Sequence, residues 1–177
     1  MSQGPPPLPP IPYPPWLGTP LGDPLATDSP KGARGPIPRV PDEWGTHKGA
    51  VSGRPFFPDE IGIPIESLST AGVQITTDGI QGVVAHTSRF GPDPANAIMI
   101  DRLQQIAAGK LEATPQDLNF YTHELREFER YKALGFETGV PKDPDAAHRL
   151  WNNTHTATLE DYELTDKDLY HPSAVPK

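Results

Sequence analysis

Cysteine is absent from the 177 residues. That absence removes disulfide staples, a thiolate nucleophile, Cys-ligated zinc and the zinc-deaminase signature together, and it leaves any chemistry to imidazoles, carboxylates and hydroxyls. Positive charge is scarce as well: 15 Lys and Arg stand against 23 Asp and Glu, a formal net charge of −8. No general positive field draws in a nucleic acid backbone, although Arg89, Arg102, Arg126, Arg130 and Arg149 can still form a local patch for a phosphate-bearing substrate. No run of about 18 apolar residues is available to span a membrane. Met1 to Pro15 has neither the basic start nor the apolar stretch of a signal peptide, so the expectation is a soluble protein made in a bacterial or other cytosol. A glycine-rich phosphate loop, a dinucleotide fingerprint, a Gly-x-Ser-x-Gly elbow and an Asp-rich calcium loop are all missing.

Proline is abundant but unevenly spread, with sixteen of the 24 in residues 1–60. The tract from Pro5 to Trp16 fixes φ and removes amide donors residue after residue, which favours polyproline II over helix or sheet. Residues 1–41 therefore read as a linker or a docking segment; Pro7 and Pro10 have the spacing of an aromatic-groove ligand, but Lys31 is the nearest basic residue. Residues 42–77 read as irregular or short-strand chain. There Ile61, Ile63 and Ile65 alternate with Gly62 and Pro64, a pattern that proline confines to an edge strand draped over the helical part of the chain.

From Asp78 the punctuation turns helical, and residues 78–177 are expected to form a small, mainly α, four-helix domain. The first helix spans about Asp78 to Phe90, with Ile80, Val83, Val84 and Thr87 on one face. The second starts at Asp93-Pro94 and ends before Gly109. The third starts at Thr114-Pro115, with Asp117 in a capping-box position, and runs to Leu134 before Gly135. The fourth starts at Asp143-Pro144 and runs to about Leu159.

On the third helix Leu118, Tyr121, Leu125 and Phe128 share a stripe, which predicts that they are buried and that the neighbouring face is outward. His123 and Glu127 stand four apart on that neighbouring face, flanked by Glu124 and Arg130. The pattern is His-Glu-x-x-Glu, one residue short of the His-Glu-x-x-His zinc helix. Three readings are open: an imidazole oriented by a carboxylate for general acid–base catalysis, a metal site completed by a distant His, or a solvated row of charges making ordinary i,i+4 pairs. On the fourth helix His148, Asn152 and His155 line one face, and a hairpin of the last two helices brings His123 and Glu127 to His148 or His155. His86 and His47 have no such sequence neighbours and are set aside. The sequon Asn152-Asn153-Thr154 falls mid-helix and reads as chance.

The stretch from Arg89 to Pro172, about half the chain, resembles the C-terminal toxin domains of bacterial polymorphic toxins, those of Rhs proteins, contact-dependent inhibition proteins and type VI secretion effectors. The residues that carry the resemblance are Arg89-Phe90-Gly91 with Asn96 and Met99, Arg102-Leu103, the run from Thr114 to Glu127, Gly135, Ala147-His148 and Leu169-Tyr170-His171-Pro172. The resemblance implies an antibacterial warhead, made in the bacterial cytoplasm, released from a larger carrier, delivered into a target cell and neutralised in the producer by an immunity protein. It puts His123, Glu124 and Glu127 at the motif core, with Ala147-His148 and Tyr170-His171-Pro172 as companions; the segment Trp151–Tyr162 departs from it in being more polar and in adding His155. The catalytic candidates are thus His123, Glu124, Glu127, His148, His155 and His171, and the candidates for holding substrate are Arg102, Asp117, Arg126, Arg130 and Tyr170. No metal ligand is assigned beyond the alternative above, and the cofactor is left open.

Such toxins are commonly nucleases, so a His/Glu-dependent hydrolase or transferase acting on RNA or DNA is the leading expectation. Its alternatives are a metal-dependent hydrolase and a non-enzymatic adaptor that recruits partners through the proline tract. The acidity of the chain predicts a basic patch on any immunity partner.

Overall fold

The computed structural model describes residues 45–176; the proline-rich tract 1–41 and residues 42–44 lie outside it. Four helices dominate: α1 (Thr77–Ser88), α2 (Pro94–Ala107), α3 (Pro115–Ala133) and α4 (Pro144–Tyr162). Their starts are set by side-chain caps. Asp93 accepts from the amides of Ala95 and Asn96, Asp143 from that of Ala146, and Thr114 and Asp117 cap reciprocally in a full capping box. Proline occupies the first helical position of α2, α3 and α4, where no amide donor is needed. The cap of α1 is Thr76, whose hydroxyl accepts from Gly79 N at 3.0 Å, so that helix starts at Thr77.

The long helix α3 is the axis of the domain, with α1 and α2 against one side of it and α4 against the other. Between α1, α2 and α3 lies the main apolar core of Ile80, Val83, Met99, Leu103, Phe120 and Tyr121, closed at one end by Ala174. Full burial of Met99 or Leu103 contributes about 1.5–3 kcal/mol each. A second apolar group, Phe90, Tyr131 and Trp151, joins α3 to α4, and a third, Phe56, Ile61 and Ala157, seats the N-terminal segment on α4. Short 3-10 turns at Asp166–Leu169 and Pro172–Ala174 return the tail across α3 and α2.

The only strands among the described residues are β1 (His47–Lys48) and β2 (Pro55–Phe56), antiparallel with His47 opposite Phe56. The alternating isoleucines are not a strand. After a 3-10 turn at Pro58–Glu60 the chain runs over the helices in irregular form, because arginines of α3 take its carbonyls in place of a neighbouring strand: Arg130 donates to the oxygens of Ile61 and Ile63, and Arg126 to that of Pro64. Gly62 makes this possible. Its φ is +84°, and a Cβ there would stand 2.8 Å from the carbonyl oxygen of Arg130.

Candidate functional site

The polar face of α3 is turned inward. His123, Glu124, Glu127 and Arg130 are all buried, whereas Leu118, Leu125 and Phe128 are only partly so. The expectation of an outward row of charges is therefore corrected. An apolar stripe marks the inner face of a helix that has one neighbour, but α3 has α1, α2, α4 and the 166–169 turn around it.

Glu127 is the hub of what this burial brings together. Its Oε1 lies 2.7 Å from His86 Nε2, and its Oε2 lies 3.1 Å from both His123 Nε2 and His155 Nδ1. The last two nitrogens are themselves 3.0 Å apart. On the far side of His155, Nε2 meets Asp166 Oδ1 at 2.6 Å. Asp166 is held in turn by Arg54, which also donates to Thr156 Oγ1 and to Asn152 Oδ1. The rings are fixed by stacking: Trp151 lies on His155 at 4.6 Å and 16°, and His86 sits among Phe90, Phe128 and Tyr131.

His86 and Asp166 are the members that sequence reasoning missed. His86 is 41 residues from Glu127, and no local pattern links the two. Its position on the Ile80, Val83, Thr87 face was the available signal, because an imidazole on a helix's inner face needs a polar partner from another helix. Asp166 was hidden in an acidic tail.

The charge states are set by the surroundings. Burial pushes the Glu127 carboxyl up, but hydrogen bonds from His123, His155 and His86 outweigh it and hold the group well below the ordinary range. His155 ends above its usual value: burial opposes the charge, but Asp166 and then Glu127 more than offset that. Asp166 is lowered to about 2, with burial opposing and His155 prevailing. Burial drives His86 and His123 down towards the neutral form. Among the described residues no hydrogen bond reaches the Glu124 carboxyl; its Oε1 lies 3.9 Å from His86 Nε2, and burial, then the charges of Glu127 and Asp93, raises it well above the usual carboxyl range.

The other expected residues are placed elsewhere. His148 faces Trp151 at 6.5 Å and does not join the cluster, since it lies nearly two turns before His155 on α4. His171 caps the final 3-10 turn, its Nδ1 meeting Ser173 Oγ at 2.8 Å and accepting from Ser173 N. Arg102 and Asp117 form a two-pronged pair at 2.8 and 2.9 Å. Arg126 and Arg130 both bind Asp161, and Tyr170 donates to Asn96 Oδ1 at 3.1 Å.

No family model, curated protein or solved structure matches this chain. The site is thus read from its own atoms. Among the described residues, two groups of side chains have ligand atoms close enough to hold a metal ion: His123, Glu127 and His155, and His86, Glu124 and Glu127.

Asp93, which caps α2 beside this region, sets a pH dependence of stability. Its Oδ2 is buried without a partner, and burial raises the carboxyl to about 6 against the amides of Asn96 and Ala95. A folded-state value above the unfolded one means that the associated stability is complete at low pH and is lost as pH rises through about 6. Relative to wild type, Asp93→Asn is therefore expected to gain about 2 kcal/mol between pH ~4 and ~8. Urea midpoints at both pH values check this, and a difference that does not change with pH refutes it.

Proposed function

We propose that this chain is an antibacterial toxin domain and that the Glu127 hub is its catalytic centre, carrying out hydrolysis or group transfer. The observation that supports it is the convergence of three imidazoles on one buried carboxylate, drawn from α1, α3 and α4. Desolvating so many polar groups costs stability that an apolar core of the same shape would not forfeit. Strongly perturbed titratable groups gathered in this way cluster at functional sites. The members have separable roles. His123, neutral and hydrogen-bonded to Glu127, is the proton acceptor. His155, charged between Glu127 and Asp166, is the donor. Two titrating groups whose surroundings push them apart are what acid–base catalysis near neutral pH requires.

The acidic surroundings weigh on the substrate. Glu127 and Asp166, with Asp93 nearby, put negative charge at the centre, so a phosphodiester substrate needs some of this charge neutralised before it can approach. RNA, DNA and NAD remain the pools to assay. The adaptor reading rests on the proline tract, which lies outside the described residues, and it assigns no task to the hub.

The test is growth of a bacterial host expressing the full chain, beside the His123→Ala and Glu127→Ala forms, with total RNA, DNA and NAD measured after induction. The expected result is killing by the wild type alone and depletion of one pool. Equal growth of all three strains, with each protein folded, sinks the catalytic reading.

A further inference from the structure

Three donor atoms at the hub stand in a nearly equilateral triangle. His123 Nε2 and Glu127 Oε2 are 3.1 Å apart, Glu127 Oε2 and His155 Nδ1 3.1 Å, and His155 Nδ1 and His123 Nε2 3.0 Å. Protons alone satisfy this arrangement poorly. If both nitrogens donate to Glu127, two N–H groups are forced side by side at 3.0 Å; if one nitrogen gives up its proton, its lone pair faces a carboxylate. A cation removes the conflict, because it turns all three atoms into acceptors of one positive charge. Edges of 3.0–3.1 Å are short enough for one ion to reach all three atoms at the roughly 2.0–2.2 Å typical of zinc–nitrogen and zinc–oxygen bonds.

We infer that His123 Nε2, Glu127 Oε2 and His155 Nδ1 are the protein ligands of a single divalent metal ion of the zinc type. Two imidazoles and one carboxylate from a helix pair are a donor set that suits such an ion, and the supporting shell is in place. Asp166 Oδ1, 2.6 Å from His155 Nε2, accepts that nitrogen's N–H and so fixes the neutral tautomer whose Nδ1 has a lone pair for the metal. His86 Nε2, 2.7 Å from Glu127 Oε1, holds the carboxylate's other oxygen and so aims Oε2 at the triangle. His123 lacks such backing, since its Nδ1 is buried without a partner, and its hold on the ion is the weaker of the two imidazoles.

His86 is a positioning residue in this assignment, not a ligand. Its Nδ1 also has no partner, so the proton belongs on Nε2, where Glu127 accepts it. With Nε2 protonated, the group of His86, Glu124 and Glu127 does not hold a second ion. The inference rests on the reading of the Glu127 hub as the catalytic centre and replaces the proton-carrying roles of His123 and His155, which as ligands would present lone pairs to the ion; the ion would polarise a substrate oxygen or lower the pKa of water. The positive charge would also offset the charges of Glu127 and Asp166.

The test is metal content of the purified full chain by mass spectrometry, then zinc and cobalt(II) titration of chelator-treated protein. The expected result is one equivalent, a visible cobalt(II) band, loss of both in His123→Ala, and affinity lowered about 10- to 100-fold in Asp166→Asn. Asp166→Asn keeps a hydrogen-bond acceptor and side-chain shape, so it remains informative if His123→Ala fails to fold. Folded wild type that binds no ion overturns the inference, as does one equivalent indifferent to both substitutions. Two equivalents, one of them lost in His86→Ala, overturn the assignment of His86. Killing by metal-free protein sinks the metal alone; a bound ion in a chain that does not kill sinks the catalytic reading alone.

Discussion

Glu127→Gln is expected to lower killing activity by a factor of about a thousand or more, the scale on which removing a group from a catalytic unit acts. The substitution changes almost no volume, so its effect is electrostatic and directional. Three imidazole nitrogens converge on the two oxygens of Glu127; an amide offers one oxygen and puts an N–H donor where the other stood. In the metal-free protein the amide puts a donor beside His86 or beside His123 and His155, and of the two carboxylates that favour charge on His155 only Asp166 is left. Stability falls less than activity, by about 1–3 kcal/mol, since His155 can release its proton in place of staying buried as an uncompensated cation. A growth titration across inducer levels, beside the urea midpoint, reads both quantities. Full killing by a folded Glu127→Gln protein would remove the hub from the mechanism.

The largest stability loss is expected elsewhere, in Asp161→Ala. Asp161 is fully buried and accepts from Arg130 Nη2 at 2.6 Å, Arg126 Nε at 3.0 Å and the Glu66 amide at 2.8 Å. Arg130 is itself without exposure, and a guanidinium cannot shed its charge. Removing Asp161 leaves that cation buried with only hydroxyl and carbonyl partners, which costs about 3–5 kcal/mol, a large share of the roughly 5–15 kcal/mol typical of a whole domain. Hydrogen exchange should also show earlier opening at Glu66, whose amide loses its acceptor, than in α2. A cost under about 1 kcal/mol would mean that water replaces the carboxylate.

The helices were legible because their signals are local. Asp93-Pro94, Thr114-Pro115 and Asp143-Pro144 specify starts within a few residues, and Gly109 and Gly135, with φ of +78° and +93°, specify stops. The pairing of His123 with Glu127 was legible for the same reason, being one helical turn. Which way that pair faced was not. Leu118, Leu125 and Phe128 mark a partly buried flank, and the most enclosed face of α3 carries His123, Glu127 and Arg130, whose partners come from residues 61–63, 86 and 155–161. Nothing in a single helix's periodicity announces partners so distant in the chain. His155 was within reach because the fourth helix gathers polar residues in a line, whereas His148, one member of that line, stops short of the cluster.

The hairpin of β1 and β2 is fastened to α4 at several points, among them Asn152 Nδ2, which donates to the carbonyl of Pro55. Glu160 takes the amides of Val51 and Ser52, and Arg54 reaches Asn152, Thr156 and Asp166. Tension applied through Gly45 would load these fastenings before any helix, and they would give way in succession, in the manner of a zipper. Pulling Arg54 away strips Asp166 of one of its two cationic partners, and Asp166 is one of the groups that hold His155 in place. A chain drawn by its N-terminal side through a narrow passage would therefore lose the geometry of its centre while α2 and α3 were still wound, and would regain it only once the hairpin had reseated on α4.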